Sequence, residues 1–222
     1  MNYLHPSEIE RLSHLSNHPF DEIRADSLTP SDYILLKDCQ WVEAQKTPGL
    51  RVLRRRPGVD ALTRAIATAF LVNEKAGNIR LHLSKSRYAR FNRFQHVETT
   101  FVRWVHRWPA DSLEATLGAS GTVLDLVSAL AGEDSGNPRG ALTTRCLQLM
   151  ATRGLLRHEK ERYRTFALRW RTRERYLLGP RVWRAIDDGS EVAAARFIPS
   201  SAETRPELTD ELLRDIRAIL TE

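Results

Sequence analysis

Between Arg157 and Arg184 the chain reads RHEKERYRTFALRWRTRERYLLGPRVWR, ten Lys/Arg against three Asp/Glu. That surplus of seven positive charges exceeds the formal net charge of +6 for all 222 residues. Within it Phe166, Leu168 and Trp170 alternate with Ala167, Arg169 and Arg171, the two-residue period of a strand with one apolar and one cationic face. The cationic side must stay solvated, so the chain has to fold with this ribbon at its surface. A ribbon of that kind suits an anionic partner, either phospholipid headgroups or a phosphate backbone.

An apolar content of 41% suffices for an ordinary core, and the length allows one large domain or two small ones. The high isoelectric point, about 9.7, comes from Arg more than Lys, and the guanidinium favours bidentate phosphate contacts and stacking on aromatic rings. Cys39 and Cys146 are far apart with no His at metal-ligand spacing, and read as reduced thiols of a cytosolic protein. MNYLHPSEIERL lacks a basic segment followed by an apolar run, so no signal peptide is expected. The longest mostly apolar stretch, AIATAFLV at 65–72, is far short of the roughly 20 residues of a membrane span, which leaves peripheral attachment.

The periodicities predict a mainly α fold, a helix-bundle core surrounded by amphipathic helices with a small β-hairpin. Residues 1–28 read as an N-terminal arm with one short helix at 6–15, and 29–222 as a single domain. Thr29-Pro30-Ser31-Asp32 starts a helix through YILLKD. A loop from Gln45 to Gly58 carries Arg51, Arg54, Arg55 and Arg56. Leu62, Ile66, Ala69 and Phe70 mark a core helix ended by Gly77, and NIRLHL alternates as a strand. The Lys85–Arg93 segment is a basic connector. Val97, Phe101, Val105 and Trp108 are spaced for a helix at 96–108, with Trp104 and Trp108 packing in its core stripe. Further helices are predicted at 122–133 and 141–153, then the basic hairpin, a loop at 198–206, and a last helix using Leu208, Leu212, Ile216 and Leu220.

The run TVLDLVSALAGEDSGNP at 122–138 is followed by Arg145, Leu147, Leu149, Gly154-Leu155-Leu156 and Glu159-Lys160. Upstream stand Leu36-Lys37-Asp38, then a helix at 61–76 with Gly77, Ile79, Arg80 and Leu81. Over residues 31–178 this order resembles the Golgi phosphoprotein 3 family of peripheral membrane proteins. The resemblance implies a central helix bundle, no enzymatic activity, no cofactor, and attachment to anionic lipid, with phosphatidylinositol 4-phosphate as the eukaryotic members' ligand. It implies lipid phosphate held by Trp41, Arg64, Arg139 and Arg145, although family spacing puts the last two arginines at Gly140 and Thr143. It also implies a hairpin for membrane contact or self-association, here Tyr163, Arg164, Phe166, Leu168, Arg169, Trp170, Arg171 and Arg173. Protein cargo and a homo-oligomer through the hairpin are the further partners it suggests, with a cytoplasmic, peripherally membrane-associated location.

A bland alternative packs Phe166, Leu168 and Trp170 beneath the domain and leaves the arginines solvated. A functional alternative is a winged-helix DNA-binding protein with helix 141–153 in the major groove and 157–178 as the wing, nucleic acid then being the partner. Thr143, Thr144, Arg145, Gln148 and Arg153 would face the bases. His14 and His18 share a helix face but have no third ligand at a recognisable spacing, so no metal is expected. The carboxylate neighbours Asp187-Asp188 and Glu133-Asp134 read as turn and capping residues, and no residue set reads as catalytic.

Overall fold

Helix α1 (Pro30–Asp38) begins as its sequence dictates: the Thr29 hydroxyl accepts from the Asp32 N–H, and the Asp32 carboxylate accepts from the Thr29 N–H at 3.0 Å, a reciprocal capping box. It is the first element of a computed structural model that describes residues 28–45, 48–85, 95–132, 135–164, 170–187 and 196–221. Strands β1 (Gln40–Glu43) and β2 (Arg51–Arg55) follow, then helix α2 (Val59–Lys75). Leu62, Ile66 and Phe70 of α2 are wholly buried, and so are Ala65, Ala67 and Ala69 on its other sides. A helix apolar nearly all round belongs in the centre, and the small alanines let neighbouring helices come close.

Two helix–hairpin units organise the chain. Helix α2 ends at Gly77 (φ 77°), whose N–H donates to the Glu74 carbonyl while the Asn78 N–H donates to that of Asn73. Strands β3 (Ile79–Ser84) and β4 (His96–Phe101) then form an antiparallel hairpin. After helix α3 (Leu113–Leu117), strand β5 (Gly121–Thr122) and helix α4 (Val123–Ala131), helix α5 (Pro138–Thr152) ends in the same way. There Gly154 (φ 76°) donates to Ala151 and Leu155 to Met150, and the hairpin of β6 (Leu156–Arg164) and β7 (Trp170–Leu178) follows. A left-handed residue closing the last helical turn is what glycine permits at low cost, and it turns each helix sharply into its hairpin.

Each unit's leading strand completes the other's sheet. Strand β2, which precedes α2, pairs with β7; β5, which precedes α5, pairs with β4. The results are a four-stranded sheet in the order β1-β2-β7-β6 and a three-stranded sheet in the order β3-β4-β5, both antiparallel. Helices α6 (Pro180–Asp187), α7 (Phe197–Thr204) and α8 (Pro206–Leu220) finish the fold. Leu208, Leu212, Ile216, Ile219 and Leu220 of α8 are buried in the common core, and its Asp215 carboxylate accepts from the Val97 N–H of β4 at 2.8 Å.

The expectation of a mainly α fold is therefore overturned. Arg51–Arg55, expected in a loop, is a strand because β1 and β7 satisfy its backbone on both sides while Val52 is buried. The expected helix at 96–108 is a strand to Phe101 and then a loop. Val97 and Thr99 turn inward at period two, and β3 and β5 supply the ladder, so tertiary pairing overrides a helical spacing. Helix α7 occupies most of the expected loop at 198–206. Within α4 the buried residues are Val123, Leu124, Val127 and Ser128, while Leu126 and Leu130 are only partly covered. Residues 1–27 of the arm, with its helix at 6–15 and His14 and His18, lie outside the described residues.

A charged knot locks the start of α1. Arg153, just past α5, makes two 2.7 Å hydrogen bonds to the Asp32 carboxylate, and the pair is almost wholly buried at 6% and 1% side-chain exposure. Glu114 of α3 accepts from the Ser31 N–H at 3.0 Å beside it. Burial, and then the Asp32 charge, push the Glu114 carboxyl up to about 7. The folded protein thus keeps a proton that the unfolded chain releases near 4.5. Stability from this group is complete below that pH and is lost as pH rises through about 7. Glu114→Gln keeps the acceptor without the charge, so its thermal midpoint is expected to gain steadily on the unaltered protein's as pH rises from 4.5 to about 7. Melting curves across that range check it, and a constant difference would contradict it.

Candidate anionic-surface binding site

The site is built on the four-stranded sheet, where the register decides which cations meet. Directly opposed residues of β6 and β7 share a face: Leu156 with Leu178 and His158 with Tyr176 on one, Arg157 with Leu177, Glu159 with Arg175 and Glu161 with Arg173 on the other. Leu156, Tyr176 and Leu178 belong to the main core, so their face is the inner one. Tyr176 and His158 stack there at 4.8 Å, and burial raises the Tyr176 phenol above its usual range. The root of the hairpin is thus seated, while Lys160, Thr172, Arg173 and Glu174 are exposed.

Strand β2 extends the cationic side. Val52 pairs with Leu177, so the pleat carries Arg54 to the outer face with Arg173 and Arg175, and sends Arg55 to the opposite one. Acidic neighbours take up part of the charge: Arg175 pairs with Glu161 at 3.1 Å and Arg157 with Glu159 at 2.8 Å. Arg51 is also engaged, its guanidinium 4.0 Å above the Trp183 ring and 3.9 Å from the Asp187 carboxylate. Arg54, Arg55 and Arg173 are exposed and have no ion-pair partner among the described residues. Arg56 donates to the Thr144 hydroxyl at 2.9 Å, which sets the end of β2 against α5 beside the exposed Arg145.

The residues expected from family resemblance are distributed differently. The Trp41 indole N–H donates to the Leu36 carbonyl at 2.8 Å and its ring packs on the core, so it braces the turn out of α1. Arg64 is exposed on the face of α2 that holds Asp60, which pairs with Arg217 of α8 at 2.8 Å. Arg139 and Arg145 are both exposed on α5. No hydrogen bond or ion pair among the described residues joins these four into a pocket. In the hairpin, Tyr163 lies opposite Arg171 and Arg164 opposite Trp170 along the backbone ladder, while Phe166, Leu168 and Arg169 fall outside the described residues.

Sequence reading passed over Arg54 and Arg55 as a solvated loop. The signal was present in RVLRR, where Val52 and Leu53 sit between cations, but only the pairing of β2 with β7 makes that stretch part of the ribbon. Elsewhere, His82 and His96 converge on Glu98 at 3.2 and 3.1 Å, and the bond from His96 is the main cause holding that carboxyl below its usual range. Among the described residues no group of three or more His, Cys, Asp or Glu is arranged to hold a metal ion. Cys39 and Cys146 are buried, and burial pushes both thiols up to about 12, which leaves them unreactive at neutral pH. Among the described residues no helix is long and apolar enough to cross a membrane. No protein-family model, no curated protein and no solved structure matches the chain.

Proposed function

We propose that this protein is a non-enzymatic adaptor that attaches peripherally to anionic membrane lipid through the arginines of the β2–β7 strand pair, a role like that of the Golgi phosphoprotein 3 family its sequence resembles. The observation that carries this reading is the convergence of Arg54 and Arg173, distant in sequence and on one face of one sheet, without acidic partners among the described residues. A solvated cation near an anionic leaflet contributes about 1 kcal/mol, so a few of them give reversible attachment without a shaped pocket. Because Trp41, Arg64, Arg139 and Arg145 are not joined by contacts, the ligand is taken as anionic lipid in general, with phosphatidylinositol 4-phosphate as one headgroup to compare.

One observation favours a second reading. Helix α5, the β6–β7 hairpin and β2 as third strand beside β7 form the helix-plus-wing order of a winged-helix domain. The exposed face of α5 offers Arg145, Gln148 and Thr152 to base edges, but Arg153 is committed to Asp32 and Thr144 to Arg56. Helix α5 carries two exposed arginines, Arg139 and Arg145, against the larger set on the ribbon, Arg54, Arg55, Lys160 and Arg173, and this favours lipid as the first reading. Competition between phosphatidylserine vesicles and a DNA duplex for the purified protein separates the two. Vesicle binding that duplex DNA does not displace is expected; tight, steeply salt-dependent DNA binding without vesicle binding would establish the winged-helix role instead.

A further inference from the structure

Among the residues whose side chains are described, the four exposed large apolar ones fall within five consecutive positions: Phe101 at 36%, Val102 at 44%, Trp104 at 44% and Val105 at 56%. The sequence pattern had placed Phe101, Trp104 and Val105 inside a helix. Instead Phe101 ends β4 and the other two sit in the loop that follows, which the fold holds open. The wholly buried Asn78 is its anchor: the backbone carbonyl accepts from the Val102 N–H at 2.8 Å, and the side-chain oxygen accepts from the N–H groups of Val105 and His106 at 2.9 and 3.0 Å. The Asn78 amide in turn donates to the His106 carbonyl at 2.8 Å, and the Trp108 indole N–H donates to Asn73 at 2.9 Å. The backbone is satisfied from beneath, so the apolar side chains are displayed at no cost in unpaired polar groups.

The display is ordered as well as apolar. Phe101 and Trp104 lie 5.3 Å apart, and the Trp104 ring rests across Gly118, where a Cβ would come within 2.7 Å of it. A patch of this kind on a monomer marks a contact surface. Its charge identifies the partner. Arg103 and Arg107 are exposed, have no ion-pair partner among the described residues, and are interleaved with the apolar residues; no Asp or Glu occurs between Glu98 and Asp111. Aromatic rings with arginines one or two residues away match the headgroup zone of a bilayer, apolar below and anionic above.

We propose that the Phe101–Arg107 loop enters the headgroup region of an anionic bilayer, with Phe101, Val102, Trp104 and Val105 among the acyl-chain ends and Arg103 and Arg107 on lipid phosphate. This rests on the membrane reading above and adds the element that penetrates, a role sequence had given to the hairpin aromatics. The test uses Val105→Cys in the full chain, labelled with an environment-sensitive fluorophore; Cys39 and Cys146 are buried and remain unlabelled. Mixing with phosphatidylcholine–phosphatidylserine vesicles is expected to shift the emission to the blue, and Val105→Glu is expected to weaken co-sedimentation by about tenfold. Val105 is more than half exposed, and an unchanged melting temperature shows that the variant is folded. Full sedimentation with unshifted emission and an undiminished Val105→Glu would overturn the loop's role while leaving the membrane reading intact. No sedimentation of the unaltered protein would overturn both. A shift that grows with protein concentration and needs no vesicles would make a second copy of the chain the occupant and overturn the lipid assignment.

Discussion

Replacing Arg54 and Arg173 together by Glu is expected to lower partitioning onto phosphatidylserine vesicles by about thirtyfold, since two cations at about 1 kcal/mol each are lost. Repulsion by the new carboxylates adds to that. The loss should be confined to binding. Both side chains are exposed and without ion-pair partners among the described residues, so the melting temperature is expected to stay near that of the unaltered protein. Reversing Arg175 in place of Arg173 should do less, because Glu161 already neutralises it at 3.1 Å. Co-sedimentation of both double variants against vesicles of graded anionic content checks the ranking. Equal, undiminished binding by both would remove the β2–β7 face from the mechanism.

The largest effect on stability is expected from Arg153→Met. The guanidinium's loss leaves the Asp32 carboxylate buried beside Glu114 with no cation at 2.7 Å, and breaking a buried pair costs about 3–5 kcal/mol. For a chain of this size that lowers the melting temperature by roughly 10 °C. Replacing Arg217, whose pair with Asp60 is exposed at 57% and 79%, is expected to change it by less than about 2 °C. Adding Asp32→Asn to Arg153→Met should recover part of the loss, because the stranded charge is then gone. Thermal unfolding followed by circular dichroism gives all three values. An Arg153→Met variant as stable as Arg217→Ala would mean that the bridge from α1 to α5 does not hold the fold together.

Where a signal was local, the sequence was readable. The capping box at Thr29, the apolar stripe of α2, the glycines that end α2 and α5, and the inward alternation of Ile79 and Leu81 each depend on neighbours within one or two turns. What was lost depends on partners far along the chain. HVETTF and RVLRR are strands because β3, β5, β1 and β7 pair with them, and no residue inside either segment announces those partners. The same reason hid both of the proposed contact elements. Arg54 becomes part of the ribbon only through β7, more than a hundred residues on. Trp104 read as core because its spacing to Trp108 is helical, whereas the Asn78 anchor turns that segment outward. The sequence's own emphasis, the surplus of cations after Arg157, did fall on an element of the site, but their pairing with Glu159 and Glu161 shows that a run's total charge overstates what it can offer a partner.

The decisive measurement is co-sedimentation of the unaltered protein with vesicles of phosphatidylcholine alone and with added phosphatidylserine or phosphatidylinositol 4-phosphate, at low and at high salt. Binding that requires anionic lipid and weakens with salt is expected from an arginine surface on the β2–β7 pair. A protein that stays in the supernatant with every vesicle at low salt would contradict membrane attachment altogether.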